Sequence, residues 1–271
     1  MKHLRVGISP CPNDTFAFHA LLERKIETPG MELTFEFGDI EELNRRFARG
    51  ELDASKLSFA AALALDPSVR VLAAGAALGF GVGPVLLAAP GRRLVDGRVP
   101  HSARVLAPGA HTTATLLYRL FHAGEGRLEQ ALFSAIMPAL ERGQADFGVC
   151  IHEGRFTYRE HGLELAEDLG RTWEARTHSP LPLGGIVARA DLGDACSGAL
   201  EDAIRRSIEY AQVHRAEALI TMRAHAQETS DEVLWQHVEL YVNEWTRDLG
   251  AVGRRAILEL GREAARLHQS P

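Results

Sequence analysis

The feature that most constrains this chain is a recurring order of short apolar run, breaker-rich loop and helix start. Such an order is satisfied by strands feeding helices in a mainly parallel sheet. Residues 4–8 run apolar into Ser9, Pro10, Pro12 and Asn13, after which Asp14 or Thr15 is placed to cap a helix reaching about Arg24. Residues 31–37 alternate as a strand, and Asp39 with Glu42 forms a capping box for a helix that stops at Gly50. Residues 52–57 read as a brief strand with Ser58 as N-cap of an alanine-rich helix, and residues 69–74 as another strand. The opening design recurs at residues 105–107, the turn 108–111 and a helix from Thr112 to about Phe121. A helix over 136–142 and strands over 145–151, 163–166 and 183–189 follow, and from Cys196 onward the pattern is helical almost throughout. Helix starts there fall near Asp194, Arg215, Ser230 and Asp248. The polar segment 91–98 reads as a passage between lobes, which puts crossovers near residues 90 and 185.

Composition narrows the class. With 271 residues, 46% hydrophobic and 24% charged, the chain has ordinary globular usage, and its formal charge of -6 argues against nucleic acid as a main partner. Cys11, Cys150 and Cys196 are widely spaced, form no CxxC pair and match no zinc spacing, so a reduced cytosolic protein without a bound metal is expected. The opening apolar run is short and broken by Pro10 and Pro12, unlike a secretory signal. No stretch reaches the ~20 apolar residues of a membrane span. A soluble, cytoplasmic protein with no membrane partner follows as the expectation. Only Lys2, Lys25 and Lys56 are lysines among 30 basic residues, which singles out an interior lysine.

In parallel sheets ligands sit at the carboxyl ends of strands, and four segments fall there. In residues 9–15 the prolines fix a loop that either aims backbone N–H groups at an anion or forms a rigid turn with a helix cap, and a packed Cys11 thiol is the preferred reading. Lys56, Leu57 and Ser58 put a cation and a hydroxyl at a strand-to-helix junction, as a sheltered carboxylate-binding pair or as a surface lysine beside an N-cap. His111, Thr112 and Thr113 bring two hydroxyls to a helix start, for ligand contact or plain capping. His152 ends a strand where a general base is useful near neutral pH, although any one of 12 histidines is more often structural. Glu153 is not counted on to orient it, since neighbours on an extended strand face opposite ways. The GxGxG within residues 75–83 lacks a following helix and reads as a hinge or cleft wall, not a dinucleotide site. Trp235, Tyr241 and Trp245 read as core packing or a homodimer face, with no chemistry.

Taken together, SPCPNDTF, KLS at 56–58, the GALG-like residues 75–79 with GVGP, HTT at 111–113, IHEGRFTY from 151 and LPLGGIVAR to 189 resemble the 1,4-dihydroxy-6-naphthoate synthase family of menaquinone biosynthesis. The likeness covers nearly the whole chain, and its one departure is Gly154, where a serine or similar residue is expected. It implies an α/β, two-lobed, periplasmic-binding-protein-like (type II) fold with a central ligand cleft. Lobe one would be discontinuous, 1–90 plus 186–271, with lobe two at 91–185. The implied activity is a carbon–carbon lyase taking cyclic dehypoxanthine futalosine to 1,4-dihydroxy-6-naphthoate with release of dihydroxyacetone, without metal or redox cofactor. By the same resemblance His152 is the proton acceptor, and Lys56, Leu57, Ser58, Thr112 and Thr113 contact a small-molecule substrate. Chorismate dehydratase of the same pathway is the nearest rival, and SPCPNDTF and IHE argue against it. A cytosolic solute-binding protein is the rival of a different class.

Overall fold

The computed structural model describes residues 1–152, 154–226 and 230–267. In chain order the strands are β1 (Lys2–Ile8), β2 (Met31–Phe37), β3 (Ala54–Ser58), β4 (Val69–Val71), β5 (Ala77–Gly79), β6 (Val85–Ala88), β7 (Arg104–Ala107), β8 (Arg127–Gln130), β9 (Phe147–Cys150), β10 (Glu164–Asp168) and β11 (Leu181–Arg189). They form two sheets, one ordered β2-β1-β3-β11-β4 with β5 also paired to β11, the other β10-β6-β9-β7-β8.

The expected parallel pairing is found inside each sheet, where β1 runs parallel to β2 and β3, and β7 to β8 and β9. Both sheets are nevertheless mixed. β11 is antiparallel to β3 and β4, and β6 is antiparallel to β9 and β10. The reason is connectivity: β6 and β11 do not arrive through a helix that returns the chain to the same end of the sheet, so nothing forces them parallel.

The chain divides into a first unit, Met1–Gly79 with Pro182–Arg255, and a second, Phe80–Leu181 with Ala256–Pro271. Where the sequence suggested exchange near residues 90 and 185, the chain changes unit after Gly79 and after Leu181. Residues 85–88 go with the second unit because β6 is taken up by β9 and β10. The segment from Ala256 also belongs there, and its Glu263 pairs with Arg176 at 2.8 Å.

In the first unit Leu4, Val6 and Ile8 of β1 pack with Ile186 of β11 and with Leu200, Ile204 and Ile208 of the helix Asp194–Val213. This is the apolar stripe that a strand-covering helix must bury. A second cluster sets Phe16 against Met222, Leu234 and Val238, with Trp235 meeting Phe16 edge-on at 6.0 Å under the Arg215 guanidinium. In the second unit Leu87, Leu106, Ile136, Leu140 and Tyr158 form the core. Among the described residues no helix is long and apolar enough to cross a membrane.

Candidate active site

At the end of β1 the chain turns through Ser9 and Pro10 into a short helix, Pro12–Ala17, whose N-cap is Cys11 and not Asp14 or Thr15. Proline at the first helical position explains the early start, because its missing N–H is one the helix would leave unpaired anyway. Asp14 is thereby released from capping and turned inward. Its buried carboxylate accepts from Ser9 Oγ at 2.7 Å, Asn13 Nδ2 at 2.9 Å and Lys56 Nζ at 2.5 Å. Every residue of β3 is buried, Lys56 included, so the sheltered reading of that lysine holds and the surface one does not. A carboxylate partner is what makes a buried ammonium affordable.

Ser58 follows as the N-cap of the helix Phe59–Leu65, but its hydroxyl makes no capping bond. Instead Asn44, on the helix Ile40–Ala48, donates to Ser58 Oγ at 2.9 Å and accepts from Ser58 N at 3.1 Å. That helix starts on Asp39, whose Oδ1 accepts from the N–H groups of Glu41 and Glu42, and Glu42 turns toward Arg46 without completing the expected box.

In the second unit β7 runs into Pro108 and Gly109 and then the helix Thr113–Phe121. Thr112 is its N-cap: Oγ1 accepts from Thr115 N at 3.1 Å and lies 2.9 Å from Gly109 O. The hydroxyl therefore caps the helix, as one of its two expected roles requires. Thr113 is also buried, whereas His111 is exposed.

His152 stands just beyond β9, half-buried, with φ of 58°. A left-handed backbone is uncommon outside glycine and clusters at functional turns. Here it breaks the strand's alternation. The imidazole meets the Phe133 ring edge-on at 4.9 Å. Glu153 lies outside the described residues. Gly154 opens the next short helix, and a Cβ there would fall 2.9 Å from Met137 Sδ, so a side chain at this position would displace the end of Met137.

The menaquinone biosynthesis family model matches residues 4–266. The chain belongs to the menaquinone biosynthesis family. It is 46% identical over 264 residues to the 1,4-dihydroxy-6-naphtoate synthase of Thermus thermophilus, covering 97% of this chain and 94% of that one. Protein AF1704 of Archaeoglobus fulgidus has the same fold at a TM-score of 0.91 and 30% identity, covering 99% of this chain and 98% of that one. The alkanesulfonate-binding protein SsuA of Xanthomonas axonopodis follows at a TM-score of 0.74 and 14% identity, covering 100% and 95%. At that identity the likeness concerns the fold alone, which is α/β and periplasmic-binding-protein-like. The chain is an enzyme of menaquinone biosynthesis.

This menaquinone biosynthesis protein also carries groups that the sequence did not single out. Asn44 belongs to none of the motifs, and only topology brings it to Ser58; Asn13 lies within SPCPNDTF, but its bond to His237, 224 positions away, is set by the tertiary structure. Cys150 is a packed thiol, its pKa pushed up to about 12 by burial, and is no nucleophile. In the second unit the buried His122 lies between Glu125 Oε2, 2.9 Å from Nδ1, and Glu167 Oε2, 3.0 Å from Nε2. Burial, the largest influence, opposes its charge, but the two carboxylates outweigh it and raise the pKa above the ordinary 6.5. Glu167 is held below its ordinary range by the His122 hydrogen bond against burial. For Glu125 burial acts most strongly and upward, yet His122 and the Val99 N–H bring it lower.

Proposed function

We propose that this protein is a carbon–carbon lyase of menaquinone biosynthesis, converting cyclic dehypoxanthine futalosine to 1,4-dihydroxy-6-naphthoate with release of dihydroxyacetone. The observation that carries the reading is the family match over residues 4–266, which takes in the ends of β1, β3, β7 and β9. His152 acts as proton acceptor. Once it takes a substrate hydroxyl proton, the oxygen's electrons form a carbonyl as the adjacent carbon–carbon bond breaks, and the pair left on the other carbon takes a proton back from the imidazolium, a redox-neutral fragmentation that leaves His152 as it began. Lys56, Leu57, Ser58, Thr112 and Thr113 contact the substrate. Lys56 offers an ammonium N–H, while the hydroxyl of Thr112, engaged as a cap, serves by holding the helix start in place. The enzyme works in the cytoplasm on a small molecule, and its C-terminal helices offer a face for a homodimer.

The test is to incubate purified protein with cyclic dehypoxanthine futalosine and measure naphthoate and dihydroxyacetone by mass spectrometry. Wild type is expected to yield both in equal amounts. His152→Asn should lose about 10²–10⁴-fold in kcat with little change in KM, the range of a removed general base. A folded wild type that forms neither product overturns the reading, and turnover of chorismate instead would assign the sibling reaction.

A further inference from the structure

The first unit holds a charge for which the reaction above has no use, the carboxylate of Asp14. It is 2% exposed and accepts from Ser9, Asn13 and Lys56. Asn13 is held from its other side, since Asn13 Oδ1 lies 3.0 Å from His237 Nε2. With its amide nitrogen committed to Asp14, the Asn13 oxygen accepts, which places a proton on His237 Nε2. The side chain of Lys56 has one further acceptor among the described residues, Gly75 O at 3.3 Å. Gly75 sits at φ of 90°, and a Cβ there would lie 2.5 Å from Ile186 Cγ1, so that carbonyl's position requires glycine. Two protons of the ammonium are therefore engaged by the protein. Its charge is matched one-for-one by a buried carboxylate in contact with it.

We propose that Asp14 is a positioning residue that converts Lys56 from an anion site into a directed hydrogen-bond donor for an uncharged oxygen of the substrate. The inference rests on the reading of Lys56 as a substrate contact. A lone buried ammonium would draw a carboxylate. Paired with Asp14, its field falls off as that of a dipole, and a second carboxylate brought to the same nitrogen would meet Asp14 at close range. A hydroxyl or carbonyl oxygen takes the third N–H without that repulsion. The substrate has both kinds of group, a carboxylate that survives into the naphthoate and the oxygens that leave as dihydroxyacetone. Lys56 recognises the leaving, uncharged part.

The scarcity of lysine supplies the test. With only Lys2, Lys25 and Lys56 in the chain, lysine-labelled protein has three ammonium signals in a nitrogen–proton spectrum. Lys2→Arg and Lys25→Arg assign them. In wild type, titration with dihydroxyacetone should shift the Lys56 signal, while 2-naphthoate should leave it in place. In Asp14→Asn the unmatched ammonium should respond to 2-naphthoate, more weakly as salt rises. Its kcat on the cyclic substrate should fall about 10–100-fold, the cost of a displaced contact, with part regained in Asp14→Glu. A Lys56 signal that ignores dihydroxyacetone, or that answers 2-naphthoate at lower concentration, overturns the proposal. So does a folded Asp14→Asn with wild-type kcat. If Asp14→Asn fails to fold, the wild-type titration decides alone. That titration reads Lys56 without turnover, so failure of the lyase assignment and failure of this proposal show up in different measurements.

Discussion

Each unit buries a cluster of opposite charges, and the two clusters are built differently. In the first, one ammonium meets one carboxylate at a strand's carboxyl end, and the surrounding bonds come from neutral groups, Ser9, Asn13 and Gly75. In the second, one imidazole is clasped between two carboxylates, both ring nitrogens are engaged, and Tyr118 stacks on the ring at 5.1 Å. Among the described residues Lys56 has acceptors for two of its three N–H groups, whereas both ring nitrogens of His122 are taken. Burial and charge pairing are common to both, so neither marks a site. What separates them is position in the sheet and whether any bonding capacity is left over. The His122 cluster is a fastening among the end of the helix Thr113–Phe121, Glu125 in the connection before β8, and β10, with Thr172 Oγ1 donating to Glu167 at 2.6 Å.

This contrast can be broken by experiment. Replacing His122 with alanine leaves Glu125 and Glu167 facing each other without their cation. Removing one partner of a fully buried pair costs ~3–5 kcal/mol; here the carboxylate side chains keep exposures of 16% and 22%, so ~2–3 kcal/mol is expected by denaturant titration. The folded fraction should turn over substrate at the wild-type kcat. A His122→Ala protein of unchanged stability but lost kcat would move the cluster from fastening to function.

A smaller effect is expected from pH. Because folding raises the pKa of His122, its contribution is complete below the ordinary value of 6.5 and is lost as pH rises through the folded value. Because folding lowers Glu125 and Glu167, theirs is present above the ordinary 4.5 and is lost as pH falls through the folded values. The cluster therefore stabilises most between those two limits. The drop in stability on going from pH 6 to pH 9 should be smaller in His122→Ala than in wild type, and an identical drop in both would exclude His122 as its source. The smallest expected effect is at Thr112, where alanine removes a side-chain cap for ~1 kcal/mol of stability. If Thr112→Ala instead raised KM about tenfold with stability intact, the hydroxyl would be a ligand contact and the capping assignment would need revision.

Much of this was legible in order along the chain. The run into Ser9 and Pro10, the alternation over Met31–Phe37, the Asp39 cap and the Thr112 helix start all rest on contacts a few residues apart, and all are observed. The helix expected from Asp14 to Arg24 is instead two short ones, Pro12–Ala17 and His19–Leu22, parted at Phe18, and the first starts early because Pro12 sets its first turn and the cap falls on Cys11. The strands Ala77–Gly79 and Arg127–Gln130 and the helix Leu169–Thr177 were not anticipated. The two strands are short, with register set by β11 and β7, and the helix's apolar residues follow the cap of Asp168 too closely to separate from β10.

The sequence by itself determined the βα alternation, the strand ends at which chemistry can sit and, through its motifs taken jointly, the family. Those are properties of local spacing and of residue types in order. Tertiary structure alone decided that Asp14 faces Lys56 across 42 positions, that Asn44 and not the helix holds Ser58, and that His122, one of 12 histidines, is the clasped one. Each of these pairings depends on which strand lies beside which and on what burial leaves a charge to bond with. No local pattern encodes either.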